Sequence, residues 1–140
     1  MKPSRYSQGF GLIELMIVVA IFAILAMVVV PSYTQMVLKN QRVDAREMLL
    51  DVAQGQERNL YTAGVYAGDL TDLGYDAATP LSDEGHYRIS AAVVNNAAAG
   101  INTFVLTATA IGSQAQDTDC LTISLSSIGL KSSAPQNNCW

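Results

Sequence analysis

From Phe10 to Val30 the chain runs for 21 residues with a single charge, Glu14. A helix of that length covers about 31 Å, close to the hydrocarbon core of a bilayer. Lys2 and Arg5 precede the run, so the positive-inside tendency keeps them cytoplasmic and exports the remainder of the chain. Pro31 closes the block. It lacks an N–H and disfavours helical geometry at Val30, which predicts a kink or a local melt. From residue 32 to about 61 the pattern becomes amphipathic. At 100° per residue Ala45, Met48, Leu49, Val52, Ala53 and Leu60 gather on one side, which predicts a helix with a core-facing stripe. Gly55 is a weak point, at a cost of about 1 kcal/mol relative to alanine.

The charges of this helix fall into two further stripes. Lys39, Arg42 and Arg46 group together; Asp44, Glu47, Asp51 and Arg58 group roughly opposite. Like charges, not opposite ones, stand three or four residues apart, so the pattern does not stabilise an isolated helix. A solvated helix with unpatterned charge is one reading. The sharper one makes Lys39, Arg42, Arg46, Asp44, Glu47 and Asp51 subunit contacts, with the basic stripe of one copy meeting the acidic stripe of the next. A head-to-tail contact that does not close yields a helical filament.

Residues 62–85 are rich in Gly, Asp, Thr and Pro and read as a long surface loop. Three strands are expected beyond it, at 86–94, 103–111 and 120–125. The second alternates cleanly, with Phe104, Leu106, Ala108 and Ala110 on one face. A short fourth strand is expected near 129–132, and 95–100 fits a hairpin loop. The fold class is therefore α+β: a long N-terminal helix packed on a small antiparallel sheet of three to four strands.

Composition sharpens this reading. The formal net charge of the 140 residues is −4, and Asp69, Asp72, Asp76, Asp83 and Glu84 crowd one segment without a Lys or Arg among them. Phosphate neutralisation needs basic groups, so the balance argues against nucleic acid as a direct ligand. The two cysteines, Cys120 and Cys139, sit in the exported part, where a disulfide is the expected state; a free buried thiol pair is the alternative. A cleaved secretory signal would need a small-residue site after the apolar core, and Val28-Val29-Val30-Pro31 offers none. A plain anchor explains the length but not Glu14. A carboxylate at mid-bilayer costs on the order of 3 kcal/mol and is usually functional.

Gly9-Phe10-Gly11-Leu12-Ile13-Glu14-Leu15, with a basic leader before it and an apolar run and Pro31 after it, resembles the processing site of type IV prepilins. That resemblance implies cleavage after Gly9 by a prepilin peptidase on the cytoplasmic face and methylation of the new N-terminus, Phe10. It implies an assembly role for Glu14, paired with the Phe10 amine of a neighbouring subunit. Such a pair attracts strongly in low dielectric and each member is costly alone. Gly11 departs from the family's usual Thr or Ser and is expected to weaken the first helical turn slightly. The head resembles PilE-type minor pilins in Gln56-Glu57-Arg58, Tyr87-Arg88, Phe104-Val105-Leu106-Thr107-Ala108-Thr109, Gly129-Leu130-Lys131 and Cys139-Trp140. The family's disulfide-bounded C-terminal loop maps onto Cys120 and Cys139. The implied layout is a leader at 1–9, a membrane and assembly helix at 10–31, and a pilin head at 32–140.

Catalytic chemistry is not indicated. His86 is the sole histidine, expected at a strand end, and a triad would rest on counts alone. No phosphate-binding glycine loop is present. Asp117 and Asp119 suit calcium by chemistry, but two acids beside a turn are ordinary, so no metal or cofactor is expected. The implied function is that of a non-enzymatic minor subunit of a type IV pilus, serving motility, adhesion or DNA uptake. Its implied partners are other pilin subunits, the peptidase and the inner-membrane assembly machinery. It would be a single-pass inner-membrane protein with a periplasmic head before assembly, and part of an extracellular pilus afterwards. The alternatives are a type II secretion pseudopilin and a membrane-tethered binding module.

Overall fold

A computed structural model describes residues 11–96 and 98–140. One helix, α1, runs Leu12–Ala63. It starts at Gly11, whose carbonyl accepts from the Glu14 and Leu15 amides at 3.1 and 3.2 Å. Gly11 thus stands outside the first turn as its cap. Glycine at a cap costs only a few tenths of a kcal/mol relative to Ser or Thr, so the expected weakening from a helical glycine does not arise. The helix also continues through Pro31, so the local melt does not occur there. Ser32 and Thr34 donate their hydroxyls to the carbonyls of Val28 and Val30, at 3.0 and 3.1 Å.

The chain divides into two compact units between Met36 and Val37. In the first, every described residue of α1 is exposed, and the helix is apolar and long enough to cross a membrane. The second unit holds the rest of α1 and a sheet. The strands β1 (Tyr87–Asn96), β2 (Ile101–Ala110), β3 (Cys120–Ser126) and β4 (Lys131–Pro135) lie side by side in sequence order. All neighbours are antiparallel; Tyr87 opposes Ala110, Leu106 opposes Leu125, and Ser124 opposes Ser132. The expected alternation in β2 holds, since Phe104, Leu106, Ala108 and Ala110 are its buried members. They meet Ala45, Met48, Leu49 and Val52 of α1 in one core, with Ala53 and Leu60 at its margin.

Strand boundaries differ by a few residues from the expected ones. β1 takes in Asn95 and Asn96, and the fourth strand, placed near 129–132 by sequence, occupies Lys131–Pro135. The segment 62–85 is not merely surface. Tyr66, Ala67, Leu70 and Ser82 are buried, and a 3₁₀ turn forms at Leu70–Leu73. The turn also explains Gly55: a Cβ there would stand 3.3 Å from Leu73 Cδ1. The missing side chain lets the loop approach the helix, so Gly55 is a contact point as well as a weak one.

Candidate functional site

Gly9 and Phe10, the expected processing pair, and the leader before them lie outside the described residues. Glu14 lies inside them, exposed in the first turn of α1. A carboxylate there faces the positive end of the helix dipole.

The charged stripes of α1 divide by depth. Arg42 is 8% exposed and Asp44 7%, which corrects their assignment as subunit contacts. Arg42 donates Nε and Nη2 to the two carboxylate oxygens of Asp117, at 2.7 and 2.8 Å. The fork geometry fits a carboxylate with two parallel bonds, the strongest form such a pair takes. The Asp117 carboxylate raises the pKa of the Arg42 guanidinium, against the opposing pull of burial. Asp44 accepts from the Ser82 hydroxyl at 2.5 Å and the Glu84 amide at 3.2 Å. Each therefore fastens α1 to a different part of its own head. Asp117, a calcium candidate by sequence, is taken up by Arg42; Asp119 remains exposed.

The outer members stay available. Lys39, Glu47 and Asp51 are exposed and Arg46 is half-buried, its Nε donating to the Arg42 carbonyl. At seven-residue spacing Lys39, Arg46 and Ala53 share a stripe. Ala53 and Leu50 line a groove of about 570 Å³ with Phe104, Leu125 and Lys131, on the β3–β4 flank. Glu47 and Asp51 line a cleft of about 630 Å³ with Tyr75, Asp76, Asp83 and Arg88, on the β1 flank. The head is thus acidic on one flank and, apart from Glu57, cationic and apolar on the other.

Side-chain amides organise the head, and sequence reading assigned none of them that part. Gln114, fully buried, places its side-chain nitrogen, with two hydrogens to share, within reach of the Leu38 carbonyl, the Tyr87 hydroxyl and Asp117 Oδ2, at 3.1, 2.9 and 3.2 Å. Burial raises the pKa of the Tyr87 phenol. Gln56, also fully buried, accepts from the Ala67 amide and donates to its carbonyl, at 2.8 and 2.6 Å. Asn95 makes the same reciprocal pair with Tyr66, at 3.0 and 2.8 Å. Asn59 donates to the Val65 carbonyl and Asn102 to that of Gly64. Four consecutive carbonyls, from residue 64 to 67, each accept from a side-chain amide. A signal was available for Gln56 alone: it stands four residues from Val52 and four from Leu60, inside the apolar stripe.

At the C-terminal end Cys120 and Cys139 form the expected disulfide, with Cα atoms 5.8 Å apart. It ties β3 to the segment beyond β4. The Trp140 indole N–H donates to the Ser132 carbonyl at 2.8 Å, and the Lys131 ammonium lies 4.8 Å from the ring centre. His86 sits just before β1, as expected, with Nε2 3.4 Å from Glu84. Among the described residues no group of three His, Cys, Asp or Glu is placed to hold a metal ion.

Comparison with known proteins adds a history to this geometry. A family described as "Type IV minor pilin ComP, DNA uptake sequence receptor" matches residues 31–124, and the prokaryotic N-terminal methylation motif matches residues 4–30. The type IV major pilin protein PilA of Myxococcus xanthus (strain DK1622) is 32% identical over an alignment 105 residues long that covers 70% of this chain. The chain spans about half the length of that relative, 47% of it. A solved type IV pilin from Shewanella oneidensis superposes with a TM-score of 0.50 at 26% identity, covering 74% of this chain and 97% of that one.

Proposed function

Because the chain belongs to the type IV pilin family, we propose that it is a minor subunit of a type IV pilus, acting by assembly and not by catalysis. One observation carries the reading: α1 is exposed at every position from residue 12 to 36 and, Glu14 apart, apolar as far as Pro31, yet further on it is the core element of a head with its own sheet. The exposed half needs lipid or the helices of other subunits around it, and the family supplies both in turn. On this reading Gly9 and Phe10 are the cleavage and methylation positions, Glu14 pairs with a neighbouring N-terminal amine, and the head is periplasmic until the subunit enters an extracellular fibre. The exposed Lys39 and half-buried Arg46 on one flank, and Glu47 and Asp51 on the other, are the charged groups left to face neighbouring subunits.

The test is the intact mass of the protein from membranes and from sheared surface filaments, with and without reductant. Loss of residues 1–9, one added methyl group and two hydrogens regained on reduction are expected, with recovery from filaments. An uncleaved chain confined to membranes would overturn the reading in favour of a tethered module. A processed chain absent from surface filaments would favour a secretion pseudopilin.

The description of the matched family favours a second reading, direct contact with DNA. The charge balance weighs against it. Residues 37–140 carry six Lys and Arg against eleven Asp and Glu, and Arg42 is spent inside the head. Binding to duplex DNA would have to fall with salt in proportion to the phosphates neutralised. Fluorescence anisotropy with labelled duplex at low salt tests this. No rise in anisotropy is expected, and a salt-sensitive rise would establish the DNA reading.

A further inference from the structure

The groove between α1 and the β3–β4 hairpin combines an apolar floor with a cationic rim, and we infer that it binds a lipid with a single acyl chain and one anionic head group. The inference goes beyond the filament reading and does not depend on it. The α1 wall runs from Leu50 to Arg58, a length of about 12 Å. Leu50 is 46% exposed there, with Ala53 one turn further on. Phe104 and Leu125 are 3% and 5% exposed, and the groove is where both reach the surface. The hairpin wall is preformed. The Ser127 amide donates to the Phe104 carbonyl and the Ser126 amide to that of Leu130, both at 3.0 Å. At about 570 Å³ the groove falls in the range of small-ligand sites, roughly 300–1,000 Å³, which are apolar with a few polar groups to fix orientation.

The charged groups at this groove select the ligand's head. Arg58 and Lys131 have no ion-pair partner among the described residues. The Lys131 ammonium sits 4.8 Å from the centre of the Trp140 ring, a cation–π contact that holds it in place and leaves its three N–H donors free for an anion. The one carboxylate of the lining, Glu57, already accepts from the Tyr66 hydroxyl at 3.0 Å. Two cations against that single carboxylate favour a ligand with negative charge. A small polar anion would leave Leu50, Phe104 and Leu125 uncovered, and a bare hydrocarbon would leave both cations unanswered. An acyl chain laid along the α1 wall, with its anionic end at Lys131, satisfies the apolar floor and the cationic rim together. Burial of the chain supplies the affinity, at about 0.8 kcal/mol for each methylene group, and the charge-assisted bond to Lys131 sets its direction.

Photolabelling of the full-length chain in phosphatidylcholine vesicles tests this. The probe is hexadecanoic acid with a diazirine in its chain, and mass spectrometry locates the adducts. Residues 12–36 serve as the internal standard, since any acyl probe in the bilayer meets them. The expected result is labelling at Leu50 or Leu125 in addition to residues 12–36. The matching diazirine alcohol, which lacks the charge, should label residues 12–36 alone. Lys131→Glu should lower groove labelling about tenfold relative to residues 12–36, as expected for a lost hydrogen bond to a charged group. Ala53→Phe, which fills the floor, should abolish it, with the urea midpoint confirming that the head still folds. A diazirine lysophosphatidylglycerol distinguishes the two sources of such a ligand: groove labelling by it admits a phosphate head, and its failure where the acid succeeds restricts the site to a carboxylate. Labelling confined to residues 12–36 with every probe, equal groove labelling by acid and alcohol, or groove labelling unchanged in Lys131→Glu would each overturn the site.

Discussion

The two halves of α1 share one helix but not one source of stability. From residue 12 to 36 every position is exposed, whereas from residue 38 to 56 the helix buries nine residues. Four of those nine, Arg42, Asp44, Gly55 and Gln56, are not apolar side chains. Glu14 apart, the first half is specified by hydropathy, and an apolar surrounding of the right thickness satisfies it. The second half is specified by partners, and only this head offers them. Mutations should therefore act on assembly in the first half and on fold in the second.

The largest expected effect is that of Arg42→Ala. It strands the buried Asp117 carboxylate, and breaking such a pair costs about 3–5 kcal/mol. Urea denaturation should show a large fall in midpoint, while Arg46→Ala on the next turn should shift stability by no more than about 0.5 kcal/mol. Equal losses from the two variants would show that the inner and outer stripe members do not differ. Next comes reduction of the Cys120–Cys139 bridge. Its sequence separation is 19, and freeing a loop of that size costs about 3 kcal/mol in the chain-entropy model. A reductant-dependent urea midpoint checks this.

Gln56→Ala ranks third, at about 1–3 kcal/mol, since it leaves the buried Ala67 amide and carbonyl unsatisfied. Amide exchange at Ala67 should quicken in the variant. An alkaline titration reads a subtler term. Burial raises the phenol pKa of Tyr66, Tyr75 and Tyr87. Hydrogen bonds to Glu57 and Asp51 add to the shift at Tyr66 and Tyr75. An unfolded tyrosine loses its proton near pH 10, while these folded ones keep theirs. The folded state then binds more protons than the unfolded one, so the stability these phenols contribute is constant below about pH 10 and falls above it. Circular dichroism against pH should show that fall, and Tyr75→Phe should reduce its slope. The smallest effect on the head is that of Glu14→Gln, which should leave the urea midpoint unchanged while recovery from filaments drops. Wild-type recovery would remove the pairing role from Glu14.

The kind of interaction decides how much of this is legible in the sequence. Period and alternation report burial, so the stripe of α1 and the inward face of β2 are readable. Side-chain bonds between residues far apart in sequence leave no periodic trace. Arg42 and Asp117 are 75 residues apart and Ser82 and Asp44 are 38 apart, so both α1 charges pass for surface groups. The loop 62–85 misleads for the same reason. Its turn-rich composition reads as solvent-facing, while its order comes from amides on α1, β1 and β2 at residues 64–67 and from the carboxylates of Asp51 and Asp44 at Tyr75 and Ser82. Gly55 shows only its helix-propensity cost in the sequence, because the approach of Leu73 is a tertiary event.

The row of carbonyls from residue 64 to 67 separates where a shape is written from where it is seen. Each of the four groups held is main chain, which every residue type possesses, whereas each group that holds it is a particular side chain elsewhere. The instructions for this bend reside in Gln56, Asn59, Asn95 and Asn102. A library that randomises Val65 alone should return many folded heads, and one that randomises the four amides should return few. Anyone wishing to graft a foreign tag onto this protein would do well to write it at the exposed positions of the bend and leave its distant authors untouched.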